Sequence, residues 1–143
     1  MSDPLFEDEV VNAVRDYLQS EGYRIESYAN ATEHGDDIVA ESASGEARLY
    51  IEAKGGTSSR ESSKRYGEPF TRNQVKDHVA KAFYRAAKMR QKRNGSEIKV
   101  GVAFPKNEDH KEMVGEIENA MSDLGIEVFW VDGETQVTVS GNW

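Results

Sequence analysis

The sequence of 143 residues predicts one domain of the α/β class. Three segments carry apolar residues at the spacing of a helix, and the segments between them show the two-residue alternation or the short apolar runs of strands. In chain order the elements read helix, three strands, helix, strand, helix and two strands. Because a chain of this length can bury a core of its own, we expect residues 1–143 to form a single domain.

The first helix is predicted to begin at Asp3-Pro4, because aspartate is a favourable N-cap and proline suits the first helical position. Gly22 is its predicted end. The apolar positions between them recur at helical spacing: Phe6, Val10, Val11, Val14 and Leu18. Residues 23–28 then alternate as a first strand.

The second half of the chain continues with helices and strands in alternation. A long helix is predicted to begin at Thr71, with an apolar side formed by Val75, Val79, Phe83 and Ala86. Residues 98–104 form a strand that Pro105 ends. One further helix is predicted to end at Gly125, with a buried face of Met113, Val114, Ile117, Met121 and Leu124. Residues 126–131 and 135–139 complete the sheet, separated by a turn at Asp132-Gly133.

Between the first two helices, two strands at residues 35–40 and 49–55 carry charge where a strand of the core would be apolar. A two-residue turn at Ser44-Gly45 pairs positions whose numbers add up to 89. This register places Asp37 opposite Glu52, and Lys54 follows on the same face because side chains alternate along a strand. Two carboxylates and an ammonium group then converge, which suits a hard divalent cation and a water molecule. The alternative is an ordinary solvated hairpin whose Glu–Lys pair contributes about 0–1 kcal/mol.

This pattern resembles the PD-(D/E)XK nuclease superfamily, in which an Asp at the start of one strand is followed by Glu-x-Lys on the next. Asp37, Glu52 and Lys54 match that motif, but Asp36 stands where the family usually has proline. This departure leaves open which of Asp36 and Asp37 is the metal ligand. The alternation of side chains along the strand favours Asp37. The resemblance implies a restriction-endonuclease-like αβββαβ core, with a central mixed sheet flanked by helices. It also implies a deoxyribonuclease, expected to be an endonuclease, with Asp37, Glu52 and Lys54 as catalytic residues.

The resemblance further implies that Asp37 and Glu52 bind Mg²⁺, for which Mn²⁺ could substitute, with help from the backbone carbonyl of Ala53. DNA is the expected partner and RNA an alternative one, while a homodimer would be the usual way for such a site to cut both strands of a duplex. Junction resolvases and restriction-type nucleases are both similar. A non-catalytic nucleic-acid-binding or assembly module on the same fold is the competing interpretation.

Glu7 is a further candidate metal ligand, because it occupies a position on the first helix where the apolar stripe would continue. Many members of the family that the chain resembles place a glutamate from this helix near the metal. The competing interpretation is that an acidic residue in the first turn simply complements the helix dipole, as Asp8 and Glu9 also would.

The charge of the chain is segregated. The net charge is −8, but residues 60–93 hold 11 basic and 3 acidic residues while the remainder holds 7 basic and 23 acidic ones. A basic stripe on an acidic body can orient a polyanion, although acidic excess also keeps proteins in solution. The candidate nucleic-acid-binding residues are Gln74, His78, Lys81 and Arg85 on the long helix, with Arg60 and Lys64 in the loop before it.

Two alternatives accompany these residues: Gln74 also fits a helix-capping box with Thr71, and the distal lysines fit a solvated helix face. The absence of cysteine excludes disulfides, thiolate metal sites and cysteine nucleophiles. No apolar run has the length of a membrane span and no signal-peptide pattern is present, so we expect a cytoplasmic protein with no membrane partner.

Overall fold

The computed structural model describes residues 4–28, 37–57, 67–93, 95 and 97–140. The elements, in chain order, are α1 (Glu7–Ser20), β1 (Arg24–Tyr28), β2 (Ile38–Glu41), β3 (Arg48–Ala53), α2 (Arg72–Lys92), β4 (Ile98–Pro105), α3 (Glu108–Gly115), α4 (Glu118–Asp123), β5 (Ile126–Val131) and β6 (Val137–Ser140). The predicted α/β class is confirmed, and so is the order of elements apart from one helix that is divided in two.

The six strands form one mixed sheet in sequential order, β1-β2-β3-β4-β5-β6. The β3–β4 and β4–β5 pairs are parallel, and the other three pairs are antiparallel. Each parallel pair needs a crossover connection, which α2 supplies between β3 and β4 and the α3–α4 segment supplies between β4 and β5. None of the helices in the described ranges combines the length and apolar character needed to cross a membrane.

The core lies on both faces of the sheet. On one face α1 packs its apolar side against Leu49, Ile51 and Phe129. On the other face α2, α3 and α4 pack against Tyr50, Val102 and Phe104. The predicted alternation of β3 is therefore confirmed, because Leu49 and Ile51 face α1 whereas Tyr50 faces α2.

The predicted start of the first helix at Asp3-Pro4 is wrong. Helix α1 begins at Glu7, with Phe6 as its N-cap, and the Phe6 N–H donates a 2.9 Å hydrogen bond to the Glu9 carboxylate. The preceding residue is held elsewhere, since the carbonyl of Leu5 accepts a 2.7 Å hydrogen bond from the N–H of Gly56. A contact between distant parts of the chain thus overrides the local start signal at Pro4.

The single helix predicted up to Gly125 is also wrong, because the chain forms two short helices, α3 and α4. They are separated at Glu116 and Ile117, where Ile117 has φ −129° and ψ 13°. Glycine at position 115 weakens the helix just before this break. Met113, Val114 and Met121 of the predicted buried face are nevertheless buried, and Ile117 is partly buried. The predicted burial of Leu124 is wrong, because this side chain is 41% exposed after the second short helix ends.

Helix α3 buries a histidine at its start. His110 is fully buried, its ring lies against Phe104, and both its backbone N–H and its Nδ1 lie within hydrogen-bond distance of the side-chain oxygen of Asn107. Burial first, and then the charge of nearby His78, lower the pKa of His110 to about 4. A histidine in the unfolded chain has a pKa of about 6.5.

The stability of the fold should therefore fall in acid. Below about pH 6.5 the unfolded chain binds more protons than the folded chain, so folding stability attributable to His110 is present at neutral pH and is lost as the pH falls towards 4. We expect this loss to be about 2 kcal/mol between pH 7 and pH 5. Urea unfolding at pH 7 and at pH 5 measures this loss of stability in the wild type and in His110→Phe, which keeps a ring at this site. Equal losses in the two proteins would refute the neutral buried histidine.

Candidate active site

The register of the charged hairpin is the one that the sequence predicts. Ile38 pairs with Ile51, and Val39 pairs with Tyr50, so the pairs add up to 89. Asp37 and Glu52 lie one step beyond the last of these pairs, at the end of the hairpin that is distant from its turn. They are 7% and 2% exposed, respectively, which is unusual for carboxylates and requires partners nearby.

Asp37 is oriented by the backbone of the neighbouring strand. Its Oδ2 accepts a 2.7 Å hydrogen bond from the N–H of Ala53. Its carboxyl group is also close enough to that of Glu52 for a hydrogen bond between them. Such a bond needs a proton when no cation is present, since two carboxylates offer only acceptors. A proton shared between the two carboxyl groups, or a cation bound to both, would therefore satisfy the pair.

Two cationic side chains approach Glu52 from different elements. Lys54 Nζ lies 3.8 Å from Glu52 Oε2, and Arg85 Nε of α2 lies 3.4 Å from the same oxygen. Lys54 directly follows β3, and its backbone N–H donates a 3.0 Å hydrogen bond to Ala103 in β4. The side chain of Arg85 is half-exposed, so it joins the buried carboxylates to the solvent-facing surface of α2.

Burial first, and then the charge of Asp37, raise the pKa of Glu52 well above its ordinary range, against the lowering effect of Lys54 and Arg85. Burial and Asp37 likewise raise the pKa of Glu7 to about 7. A helix dipole would favour the ionised form of an acid in the first turn. Burial first, and then the charge of Asp37, thus move the pKa of Glu7 in the direction opposite to the one expected from the dipole.

The donor set fits a hard divalent cation. Mg²⁺ binds oxygen ligands, commonly through one or two carboxylates, and keeps several waters. Asp37 and Glu52 would provide those two carboxylates. Glu7 lies close enough for the charges of Asp37 and Lys54 to affect its pKa. Within the described ranges no three His, Asp or Glu side chains are grouped closely enough to hold a metal ion. Glu7 as a direct ligand thus stays a prediction.

The predicted nucleic-acid-binding residues have different surroundings. Gln74 takes part in the alternative capping box, because its side-chain oxygen accepts a 2.8 Å hydrogen bond from Thr71 N–H. His78 is half-buried against the ring of Phe70, and burial first, then Lys54, lower its pKa. Lys81 is exposed on α2. Arg60 and Lys64, like Asp36, lie outside the described residues.

The ion pair between Arg85 and Glu52 was not predicted. In the sequence Arg85 comes seven residues after His78, which is two helical turns along the same face of the predicted helix. That spacing signals a shared direction, but the distance between α2 and the sheet depends on the packing of the core. Arg85, a predicted nucleic-acid-binding residue, is therefore also a direct neighbour of Glu52, a candidate catalytic residue.

No protein-family model, no curated protein and no solved structure matches this chain.

The position of Glu7 depends on a glycine. A Cβ at Gly55 would lie 2.4 Å from the backbone nitrogen of Glu7 and 2.9 Å from the backbone carbon of Phe6. We expect Gly55→Ala to displace the start of α1 and to destabilise the fold by about 1–3 kcal/mol, the usual cost of overpacking. Urea unfolding provides the measurement.

Gly56→Ala is the matched control. A Cβ there would first meet the Pro105 side chain at 3.4 Å, which is an ordinary contact. We expect this variant to unfold at nearly the wild-type urea concentration. If Gly55→Ala is as stable as Gly56→Ala, close contact with the start of α1 does not position Glu7.

Proposed function

We propose that this chain is a divalent-metal-dependent nuclease of the PD-(D/E)XK type that hydrolyses phosphodiester bonds of DNA. The observation that carries the proposal is the convergence of Asp37, Glu52 and Lys54 at one end of the β2–β3 hairpin. The order of elements around the hairpin supports the restriction-endonuclease-like αβββαβ core, since α1, β1–β3, α2 and β4 follow one another in that sequence. The basic helix α2 beside the site supports a polyanionic substrate.

Asp37 and Glu52 are the residues that would hold the metal. The chemistry that Mg²⁺ supplies when bound to such a pair is polarisation of the scissile phosphate and a lower pKa of the attacking water. Ala53 N–H fixes the direction of the Asp37 carboxylate. Lys54 can hold the attacking water and stabilise the negative charge that develops on the phosphate.

Arg85 adds a second positive charge from α2, on the side of the site from which a nucleic-acid backbone would approach. Its guanidinium has several donors, so it can contact a phosphate oxygen while remaining beside Glu52. Arg85 would thereby join substrate binding on the helix to the carboxylates at the end of the hairpin.

A non-catalytic nucleic-acid-binding module is the second candidate function. The charge of α2 favours it as much as it favours a nuclease, because seven of the residues from Arg72 to Lys92 are basic and only Asp77 is acidic. The buried carboxylate pair favours the nuclease, since burying two like charges is costly for a module that needs only a cationic surface.

Removing the side chain of either Asp37 or Lys54 should abolish cleavage of DNA. We expect Asp37→Ala and Lys54→Ala to reduce the Mg²⁺-dependent cleavage rate at least about 100-fold, since one group that stabilises charge in a transition state commonly contributes that much. Labelled duplex, single-stranded and branched DNAs, each incubated with Mg²⁺, Mn²⁺ or EDTA, provide the assay. Circular dichroism checks that the variants fold.

Lys111→Ala is the matched control, because Lys111 is an exposed lysine on α3. The Lys111→Ala variant should cleave DNA at the wild-type rate. Full cleavage by either the Asp37→Ala or the Lys54→Ala variant contradicts the assignment of the site. Tight binding of DNA by the wild type without cleavage in any metal selects the non-catalytic module.

The surface of α2 should determine the salt dependence of binding. Each lost lysine–phosphate contact lowers the slope of log affinity against log salt by about 1. We expect the double change Lys81→Gln and Lys92→Gln to lower that slope by about 2, whereas Lys111→Gln leaves it unchanged. Fluorescence anisotropy across a salt series provides the measurement. An unchanged slope in the double variant removes α2 from the binding surface.

A further inference from the structure

One aromatic side chain on α2 is directed towards solvent. Tyr84 is 65% exposed, and the only other large hydrophobic residue that is similarly exposed within the described ranges is Leu124, at 41%. A single exposed apolar residue needs no explanation by itself. The surroundings of Tyr84 are what distinguish it.

Tyr84 lies within the basic surface of the helix. Lys81 precedes it by three residues and Lys88 follows it by four, so both are its neighbours on the helix surface. The Lys88 ammonium lies over the ring, 5.4 Å from its centroid. The next residue in the chain is Arg85, which reaches Glu52 in the candidate active site. An exposed ring is thus placed among cations on the same helix that contributes Arg85 to the candidate active site.

We propose that Tyr84 is a stacking platform for an unpaired base, and that Lys81 and Lys88 hold the phosphates on either side of that base. Alternating aromatic and cationic groups are how proteins bind single-stranded nucleic acid, because every base has a face that can stack on a ring. A base inside a duplex is covered on both faces by its neighbours and cannot stack on Tyr84. This inference rests on the proposed function and narrows the substrate class of the proposed nuclease to DNA that contains unpaired nucleotides.

Nucleic acid fits this surface better than a protein partner or a second copy of the chain does. The centre of a protein interface is depleted of charged residues and is formed by several apolar side chains together. The exposed neighbours of Tyr84 are instead Lys81, Arg85 and Lys88. Such a surface offers one ring and several cations, which matches one base and the phosphates that flank it.

Binding measured without cleavage tests the platform. Fluorescein-labelled DNAs with the same core sequence, one a blunt duplex and one carrying a single-stranded flap, are titrated with protein in EDTA and followed by anisotropy. We expect Tyr84→Ala to weaken binding of the flapped DNA about tenfold while changing duplex binding less than twofold. Tyr84→Phe, which keeps the ring, should bind both DNAs like the wild type, and so should Leu124→Ala, which removes the other exposed apolar side chain.

A Tyr84→Ala variant that binds flapped DNA as tightly as the wild type overturns the proposal, and so does an equal loss on both DNAs. A change of sedimentation from dimer to monomer in Tyr84→Ala also overturns it, since the ring would then serve a second copy of the chain. The same experiments distinguish failure of the stacking proposal from failure of the nuclease proposal. If the wild type cleaves DNA with Mg²⁺ but Tyr84→Ala keeps its preference for the flap, only the platform is wrong. If Tyr84 determines flap binding and no DNA is cleaved, the platform is supported and the nuclease proposal is wrong.

Discussion

The antiparallel register between β2 and β3 is the constraint on which the candidate site depends. It brings Asp37 and Glu52 together at the end of the hairpin, with both carboxylates on the α2 side of the sheet. A slip of one residue would turn Glu52 towards α1 and would move Leu49 and Ile51 from the α1 face to the α2 face. The burial of those two apolar side chains under α1 therefore stabilises the one register in which the carboxylates meet.

The site also depends on the docking of α2, because one of its positive charges comes from that helix. Arg85 can reach Glu52 only when α2 is packed on the sheet. Arg90, further along the helix, donates hydrogen bonds to three backbone carbonyls, those of Ile98, Leu124 and Gly125. These bonds hold the end of α2 on the start of β4 and on the turn before β5, so elements distant from the carboxylates help to place Arg85 beside them.

The sequence predicted what depends on alternation and on short turns, and it failed where distant segments meet. The register of the hairpin and the faces of β3 were predicted from the apolar pattern and from a turn at Ser44-Gly45, and both are confirmed. The turn itself is different, because the N–H of Gly45 donates to the carbonyl of Ser42 and so encloses Ala43 and Ser44. The start of α1 could not be predicted, because it depends on the contact of Leu5 and Glu7 with the two glycines after β3. The Arg85–Glu52 pair was missed for the same kind of reason, since helical spacing gives a direction but no distance.

The proposed chemistry brings a negatively charged substrate to a site made of acidic side chains, and the uneven distribution of charge along the chain reduces the resulting repulsion. A site built from Asp37, Glu52 and Glu7 repels the phosphates on which it would act, and burial strengthens that repulsion because it removes screening water. Lys54 and Arg85 offset part of the negative charge at the carboxylates themselves, although burial first, and then the charge of Asp37, still raise the pKa values of Glu7 and Glu52. In the proposed nuclease a divalent cation would offset further negative charge. In the proposed nuclease the basic residues of α2 would act at longer range, since they would attract a polyanion to the helix from which Arg85 contacts Glu52.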